Sequence, residues 1–407
     1  MITSQQQLEE LKRGTIDFID EKDFIKKVEK SLKTKKPLRV KLGVDPTAPD
    51  IHLGHTVALQ KLRQFQDLGH HAVLIIGDYT ALVGDPSGTQ KTRPQLSQDL
   101  IKKNAQTYFD QVQKILDMKK TEVRYNGEWF SKMSFVEVIK LASRMTVARM
   151  LERDDFSKRF KGGTPICIHE FIYPLMQGYD SLMVQADVEL GGTDQIFNLL
   201  VGRQLQKEEG GESQVVLTIP LLEGTDGIRK MSKSYDNYIG VTEAPSQIFG
   251  KVMSISDELM WKYYNLLSRC SLQEIEEKKE KANQGTLNPK FAKMELAYEL
   301  VTRFYSKKEA DKAQEEFNRI FQSKQNPSDI EEVALAVTDP KILVTQLMLL
   351  SHCAATSSEA KRLIQQGAVS IGNQKISDIK ALVDTNGEVI LKVGKRVFKK
   401  VIFKPSS

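Results

Sequence analysis

Two histidines, His52 and His55, lie three residues apart where a proline-stiffened turn leads into a predicted helix. At this spacing both rings can face one side of the helix. The N–H groups and positive dipole of a helix N-terminus favour phosphate, and two imidazoles could donate hydrogen bonds to a phosphoryl oxygen. Gly54 between them would let a ligand approach the backbone. The alternative is a turn with two solvated histidines, and this segment alone does not decide.

A second segment, Lys230-Met231-Ser232-Lys233-Ser234, follows a loop that contains two glycines. Its lysines are flexible point charges, suited to a mobile clamp on polyphosphate. Taken alone, the pentapeptide is more simply an ordinary basic surface loop. Together and in this order, His-Leu-Gly-His and Lys-Met-Ser-Lys-Ser resemble the two defining motifs of class I aminoacyl-tRNA synthetases.

The elements around the histidines predict an α/β fold. The apolar run Leu38 to Val44 indicates a buried strand, a three-residue apolar repeat ending at Gly69 indicates a helix, and Ala72 to Ile76 indicates a second strand. Strand, turn, helix and strand form the opening unit of a doubly wound, Rossmann-like sheet. Ligands of such sheets bind beyond the carboxyl ends of the strands, where this turn lies.

Two further segments could line a polar pocket. Tyr173, Gln177 and Asp180 are four and three residues apart, so a helix would place them on one face among apolar neighbours. The segment Gly191-Gly192-Thr193-Asp194-Gln195 leads into another predicted helix. Its glycines permit backbone approach to a ligand, and Asp194 could accept a hydrogen bond from a sugar hydroxyl.

The positive charge is concentrated at the C-terminal end. The chain has 407 residues and a net charge of +6, and residues 341–407 hold 11 Lys and Arg against 4 Asp and Glu. Those residues therefore carry +7 and the rest of the chain −1, which indicates a polyanion-binding module on a nearly neutral body. Within it, a short predicted helix carries Lys361 and Arg362, and a predicted hairpin carries Lys375.

Composition favours a globular protein of the reducing cytoplasm. Hydrophobic residues make up 40% and charged residues 28%, with no apolar stretch long enough to span a bilayer and a polar N-terminus unlike a signal peptide. Three scattered cysteines make neither a disulfide framework nor a zinc spacing. We therefore expect no structural metal and no membrane association.

More of the chain matches one family within that class. The matching segments are Asp45 to Pro49, Gly84 to Gly88, Glu170-Phe171 with the three helix residues above, and Gly191 to Gln195. Together they resemble the bacterial tyrosyl-tRNA synthetases, and the closing segment is similar to the S4 family of RNA-binding domains. The resemblance covers nearly the whole chain.

On the amino-acid side, the resemblance implies a role for each matching residue. Asp180 would accept a hydrogen bond from the tyrosine phenol. The substrate ammonium would be held by Tyr173, Gln177 and Asp85. Gln195 would lie beside the substrate carboxylate.

On the nucleotide side, the resemblance assigns ribose to Asp194 and Gly192, with Asp45 nearby, and places His55 on the nucleotide side of the site. The remaining residues implied to bind ATP are Gly54, Met231, Ser232 and Ser234. ATP is expected as a substrate accompanied by Mg²⁺.

For the chemical step, the resemblance assigns Thr47 and His52 to the α-phosphate as it becomes five-coordinate. Lys230 and Lys233, with Arg93, would attract the leaving pyrophosphate. No general base is expected, because the attacking tyrosine carboxylate is already ionised.

One position departs from the common pattern. Many bacterial members carry a tyrosine on the first strand that shares the substrate phenol with the helix aspartate, and this chain has Lys41 there. We expect Lys41 in the tyrosine site but leave open whether it points at the substrate.

The implied architecture is a catalytic Rossmann-like domain over residues 1–235, an α-helical anticodon-binding domain over 236–335 and an α+β S4-like domain over 341–407. The implied partners are tyrosine, ATP and tRNA(Tyr), in a homodimer. Two alternatives are a tryptophanyl-type synthetase and a non-catalytic RNA-binding regulator built on a synthetase scaffold. Asp180 and the S4-like tail argue against the first, and the two intact motifs argue against the second.

Overall fold

A computed structural model describes residues 2–87, 96–321, 330–337, 339–372, 374–394 and 397–404, with Phe321 described by its backbone only. It divides the chain into two compact units, Met1–Ala313 and Gln314–Ser407. The predicted pyrophosphate contact Arg93 lies outside the described residues, as does Asn326-Pro327, a pair of turn-forming residues that predicts a linker.

A six-stranded sheet forms the centre of the first unit. Its strands are β1 (Phe18–Ile19), β2 (Arg39–Val44), β3 (His71–Ile76), β4 (Thr121–Tyr125), β5 (Val188–Gly192) and β6 (Val215–Ile219). They lie in the order β1-β6-β5-β2-β3-β4, and every pair is parallel except β1 with β6. The strands β3 and β6 are almost wholly apolar, as expected where helices cover both faces of such a sheet, whereas β2 and β5 between them each carry one buried charged residue, Lys41 and Glu189. The predicted doubly wound α/β core is confirmed.

The sheet changes direction between β2 and β5. The chain winds from β2 outward through β3 to β4 and then returns to add β5 and β6 on the other side. Open α/β sheets bind ligands at such a switch point, beyond the carboxyl ends of the strands.

Eleven helices connect and flank these strands among the described residues up to 208. They are α1 (Ser4–Lys12), α2 (Glu21–Thr34), α3 (Leu53–Asp67), α4 (Thr80–Val83), α5 (Gln98–Val112), α6 (Gly127–Phe130), α7 (Phe135–Ala142), α8 (Val147–Met150), α9 (Asp154–Lys161), α10 (Ile172–Met183) and α11 (Ile196–Glu208). The helix α3 begins at the histidine turn, as predicted. Past its end, Gly69 adopts a φ of 93°, a left-handed conformation that favours glycine.

Helices alone follow the lysine segment as far as residue 321. They are α12 (Pro245–Ser254), α13 (Asp257–Leu267), α14 (Leu272–Asn283), α15 (Pro289–Phe304) and α16 (Lys307–Phe321). Their starts carry the expected signals, with proline at the first position of α12 and α15 and serine caps at Ser256 and Ser271.

The second unit combines a five-stranded sheet and a two-stranded sheet with two helices. Its elements are β7 (Glu331–Ala336), β8 (Lys341–Leu343), α17 (Val344–Leu350), α18 (Ser357–Gln365), β9 (Val369–Ile371), β10 (Gln374–Ile376), β11 (Leu382–Asp384), β12 (Glu388–Val393) and β13 (Val397–Lys404). The predicted hairpin is β9 and β10. The strand β7 pairs in parallel with β13, so the larger sheet takes in residues that precede Lys341.

Within the part of the chain that the structure describes, no helix combines the length and apolarity needed to cross a membrane.

Candidate active site at the sheet switch point

A cavity of about 270 Å³ opens at the carboxyl ends of β2, β3, β5 and β6, where the sheet changes direction. The walls come from the ends of β2 and β5, the start of α3 and one face of α10. Most predicted substrate residues lie here. Those that line the cavity are Asp45, Thr47, Gly54, His55, Asp85, Tyr173, Gln177, Asp180, Gly192, Asp194 and Gln195.

Asp180 lies buried in the cavity wall with only 4% of its surface exposed. Its two carboxylate oxygens accept hydrogen bonds from Asn126 Nδ2 at 3.2 Å and Trp129 Nε1 at 2.9 Å. Burial raises the pKa of Asp180 to about 7, while the nearby charge of Lys41 and the two hydrogen bonds oppose that rise. A buried carboxylate held in this way is a strong acceptor for a substrate hydroxyl.

A hydrogen-bonded chain runs from Asp180 to the end of β2. The Tyr173 hydroxyl donates to Asp45 Oδ2 at 2.9 Å, and Thr80 Oγ1 donates to Asp45 Oδ1 at 2.7 Å. Asn126 bridges Thr80 and Asp180. A side chain at Gly77 would overlap this network, because its Cβ would lie 2.0 Å from Asp45 Oδ1. The glycine therefore makes room for the Asp45 carboxylate.

The other end of the cavity carries amide and carboxylate groups that hold one another. Gln195 Nε2 donates to Asp85 Oδ2 at 2.7 Å. Asn198 Nδ2 donates to Gln177 Oε1 at 2.9 Å and to Gln195 Oε1 at 3.1 Å. The buried Arg153 guanidinium lies 3.8 Å from Asp85. This end therefore offers acceptors for an ammonium group and amides for a carboxylate.

At the start of α3 the rings of His52 and His55 stack with centroids 3.8 Å apart. Burial and neighbouring positive charge lower the pKa of His52 to about 3 and that of His55 to about 4, so both are neutral at pH 7. The His52 backbone N–H donates to His55 Nδ1 at 3.3 Å, which leaves the proton of the neutral His55 ring on Nε2. His52 Nδ1 is buried and has no partner among the described residues.

The lysine segment packs against this helix start. Met231 is buried, and the Gly54 N–H points at its sulfur at 3.3 Å. A Cβ on Gly54 would lie 3.0 Å from the His52 ring and 3.5 Å from Met231 Cβ, so glycine permits close packing of the two motifs. Lys233 Nζ lies 2.9 Å from Asp50 Oδ2, which joins the segment to the turn before α3.

The remaining predicted nucleotide residues lie around the same opening. Asp194 lines the cavity beside Gly192, and burial raises its pKa while the charge of Lys230 lowers it. Lys230 and Ser234 are exposed. Ser232 begins a short 3₁₀ turn, and its hydroxyl accepts from the Ser234 N–H at 3.2 Å.

Lys41, expected in the tyrosine site, does not line the cavity, so its assignment as a tyrosine-binding residue needs correction. The side chain is fully buried beneath the wall. Its ammonium donates to the Gln177 carbonyl at 2.7 Å, to Ser181 Oγ at 2.8 Å and to Glu189 Oε1 at 2.8 Å. All three N–H donors are thereby used, and none is left for a substrate phenol.

Sequence reasoning missed several residues of this site. Asn126, Trp129 and Thr80 hold the Asp180 and Asp45 carboxylates, Asn198 joins the two glutamines, and Asp50 holds Lys233. Asn126 was visible only as a break in a helical pattern. Asp50 was visible only as part of the proline turn.

The arrangement can bind a small polar molecule at a buried carboxylate and place phosphate groups at a helix start. Two neutral imidazoles and the lysine segment surround that start. No group of three or more His, Cys, Asp or Glu residues that could hold a metal ion occurs among the residues that the structure describes.

The chain matches known proteins over nearly its full length. The family described as tRNA synthetases class I (W and Y) matches residues 33–322. Two proteins called tyrosine–tRNA ligase, from Carboxydothermus hydrogenoformans and Thermotoga maritima, are each 52% identical to it, with 98% of each chain covered. The tyrosine–tRNA ligase of Francisella tularensis is 54% identical, over 99% of this chain and all of the relative.

Solved structures share the fold at lower identity. A C-terminally truncated mitochondrial tyrosyl-tRNA synthetase of Aspergillus nidulans matches with a TM-score of 0.65 and 24% identity, covering 79% of this chain and 95% of that one. The tyrosyl-tRNA synthetase of Archaeoglobus fulgidus, complexed with L-tyrosine, matches with a TM-score of 0.62 and 24% identity, covering 76% and 99%. From the family match and the full-length relatives, the chain belongs to the tyrosine–tRNA ligases, within the class I tRNA synthetases.

Proposed function

We propose that this protein activates tyrosine with ATP, forming tyrosyl-adenylate and pyrophosphate, and transfers the tyrosyl group to the 3′ end of tRNA(Tyr). The observation that carries the proposal is one cavity that joins a buried carboxylate, Asp180, to a helix N-terminus bearing two neutral histidines. The full-length relatives are tyrosine–tRNA ligases, which favours tyrosine over tryptophan and an enzyme over a regulator.

In this proposal the substrate phenol donates to Asp180, whose oxygens Asn126 and Trp129 hold in place. The substrate ammonium lies between Asp85, Gln177 and Tyr173. Its carboxylate lies near Gln195 and points toward the start of α3. Fixing the nucleophile beside the phosphate in this way lowers the entropic part of the barrier.

ATP enters as its magnesium complex, with ribose at Asp194 and Gly192. The tyrosine carboxylate attacks the α-phosphorus, the bond to the bridging oxygen breaks, and pyrophosphate leaves with its electrons. Thr47 and His52 stabilise the α-phosphate as it becomes five-coordinate, and His55, whose ring proton lies on Nε2, supports the nucleotide side of the site. Neutral imidazoles cost little to hold in place and stabilise charge only as it develops.

Lys233 and Lys230 neutralise the leaving pyrophosphate, with Arg93 as an expected third charge. For this, Lys233 must exchange Asp50 for phosphate oxygens. The 3′ hydroxyl of tRNA then attacks the tyrosyl carbonyl, and AMP leaves.

The second unit is the proposed tRNA-binding, S4-like module. Lys361, Arg362 and Lys375 are all exposed, and Lys375 folds over Gly367, directly after α18. The unit as a whole holds 13 Lys and Arg against 10 Asp and Glu, a net charge of +3, because residues 314–340 add six acidic residues and two basic ones. Two of these acids, Glu331 and Glu332, pair with Lys399 and Lys400. The three exposed cations, rather than total charge, therefore carry the proposal. The helices α12 to α16 remain the proposed anticodon-binding part.

A homodimer is proposed from α7. Phe135, Val136 and Ile139 on this helix are 77%, 61% and 53% exposed, while Leu141 faces the core. Apolar groups exposed to this extent on one helix face mark an association surface, and a second copy of this chain is the proposed occupant. Because the tyrosine–tRNA ligases are enzymes of translation, we place this protein in the cytoplasm.

ATP–pyrophosphate exchange in the presence of each amino acid separately tests the proposed function. Exchange that depends on tyrosine supports it. Exchange that depends on tryptophan, or no exchange with any amino acid, would overturn it in favour of one of the two alternatives.

A further inference from the structure

A buried ion pair lies beneath the tyrosine cavity. Lys41 on β2 and Glu189 on β5 occupy directly paired positions of neighbouring parallel strands. Neither side chain has any exposed surface, and their Nζ and Oε1 atoms are 2.8 Å apart. An ion pair in such a place is weak evidence for stability, because desolvation offsets much of the attraction. The role of the pair therefore follows from the neighbouring groups to which it is hydrogen-bonded.

The pair is completely hydrogen-bonded. Besides Lys41, the Glu189 carboxylate accepts from Gln177 Nε2 at 3.3 Å, from Ser181 Oγ at 2.9 Å and from Gln214 Nε2. A Cβ at Gly202 of α11 would lie 2.7 Å from Gln214 Nε2 and 3.1 Å from Ser181 Oγ. The fold thus reserves space between the helices and the sheet for a polar cluster.

The pair is hydrogen-bonded to α10, the helix that carries Gln177 and Asp180. Lys41 binds the carbonyl of Gln177 and the hydroxyl of Ser181, the residues on either side of Asp180 along α10. Glu189 orients the side chain of Gln177, which in turn accepts from Asn198. Both ends of the amino-acid site are therefore fixed by the same two buried charges.

We propose that Lys41 and Glu189 are a positioning pair that sets selectivity for the phenol hydroxyl through Asp180 and Gln177, without touching the amino acid. The inference rests on the proposed function. It gives the first-strand lysine a role other than the direct contact that a tyrosine makes at that position in the resembling family.

The pair also acts on Asp180 through its charges. The charged and titratable groups that act on Asp180 are Lys41 on β2, Glu189 on β5 and Tyr173 on its own helix. Lys41 favours the ionised carboxylate and Glu189 opposes it. A variant that lacks only the Lys41 charge leaves a buried negative neighbour, so Asp180 will hold its proton to higher pH. A protonated Asp180 is a poorer acceptor for the phenol.

The test is tyrosine-dependent ATP–pyrophosphate exchange, measured as kcat/KM from pH 5.5 to 9.5 with tyrosine and with phenylalanine. In Lys41→Met the pH at which selectivity for tyrosine is half-maximal should rise by about one unit or more. In Lys41→Met/Glu189→Gln, which removes both charges, the shift should be smaller. This double variant also serves if the single variant does not fold, since neutral replacement of a buried pair is often tolerated.

Lys293→Met is the matched control, because Lys293 is another buried lysine in an ion pair, 2.6 Å from Asp257. It should leave the pH profile unchanged even if it lowers stability. An unchanged selectivity profile in the folded Lys41 variants would overturn the proposal and leave the pair a structural element. Absence of tyrosine-dependent exchange in the unaltered protein would instead refute the proposed function itself.

Discussion

The ammonium of Lys233 lies 2.9 Å from the carboxylate of Asp50, and this contact joins the two motifs that define the proposed nucleotide site. The Lys233 side chain is 29% exposed and that of Asp50 is 49% exposed. A pair so open to solvent contributes at most about 1 kcal/mol. It can therefore hold the lysine segment beside α3 and still give way when pyrophosphate competes for the lysine.

Lys233→Ala should lower the rate of adenylate formation by about 10²- to 10³-fold, the usual loss for one group that stabilises developing charge. Tyrosine affinity should change by less than about 2-fold, since the lysine meets its partner late in the reaction. Stopped-flow adenylate formation and equilibrium dialysis of tyrosine measure the two quantities. Arg229→Ala, in the same loop, is the control. Equal losses of rate and affinity in Lys233→Ala would contradict a transition-state role.

The buried histidines make a prediction about pH. The pKa values are lowered to about 3 in His52 and to about 4 in His55 and His70, with burial as the main cause. When unfolded, each would titrate near 6.5. The stability associated with each is therefore present above pH 6.5 and is lost as pH falls toward 4, at up to about 1.4 kcal/mol per pH unit.

His55→Gln should consequently remove about one proton from the difference in proton binding between unfolded and folded protein at pH 5. Parallel potentiometric titrations in buffer-free salt and in urea measure this difference. His352→Asn is the control, because His352 is exposed and its φ of 56° suits asparagine. The same loss of proton uptake in both variants would show that burial of His55 is not its cause.

The exposed cations of the second unit make a prediction about salt. Together, Lys361→Ala, Arg362→Ala and Lys375→Ala should reduce the slope of log tRNA affinity against log salt concentration by roughly 2 to 3, at 0.7 to 0.9 for each phosphate contact. Tyrosine-dependent pyrophosphate exchange should be unchanged. Filter binding between 50 and 300 mM salt measures the slope, with Lys341→Ala in the same unit as control. An unaltered slope would indicate that the tail only adds solubility.

These point variants replace the truncation near Asp339 that the sequence alone would suggest. A chain cut there would keep β7 but lose β13, with which β7 pairs along its length. With the edge of β7 exposed, the truncated protein could misfold or aggregate. A loss of tRNA binding caused by missing contacts could then not be distinguished from one caused by misfolding.

The exposed face of α7 predicts the assembly state. Phe135→Asp/Ile139→Asp should convert a dimer to a monomer, because two charges cannot be buried at a self-complementary apolar interface. Sedimentation velocity at micromolar concentration measures the change. Phe291→Asp on α15, where the ring is 55% exposed, should leave the dimer intact. A dimeric α7 variant, or a monomeric unaltered protein, would contradict the assignment of this face.

The sequence predicted β2, α3 and β3 well, because long apolar runs and a regular helical repeat mark buried elements. It did not predict β4, whose Thr121–Tyr125 alternates polar and apolar residues at the sheet edge. It also did not predict β5, which carries a buried Glu189 and two glycines in place of an apolar run. These strands are specified by their neighbours in the sheet rather than by local propensity.

In the site as well, residues that share a local sequence pattern were predictable and residues brought together only by the fold were not. Tyr173, Gln177 and Asp180 were predictable because they share one helix face. The donors to Asp180, Asn126 and Trp129, come from a segment more than fifty residues earlier, so no local pattern could connect them. The position of Lys41 depended on Glu189, which tertiary pairing alone brings to its side.

The central claim is that this protein activates tyrosine because Asp180 reads its phenol hydroxyl. The most direct test is the ratio of kcat/KM for tyrosine to that for phenylalanine in ATP–pyrophosphate exchange, compared between the unaltered protein and Asp180→Ala. Phenylalanine offers no hydroxyl to the Asp180 carboxylate, which keeps only its hydrogen bonds from Asn126 and Trp129, and the unaltered protein rejects phenylalanine for that reason. Without the carboxylate this penalty disappears, so the ratio should fall on the order of 100-fold or more in the variant. Tyr173→Phe, which removes a hydroxyl bound to Asp45, should raise KM for tyrosine and leave the ratio nearly unchanged. A folded Asp180→Ala protein that still rejects phenylalanine as strongly would contradict the account.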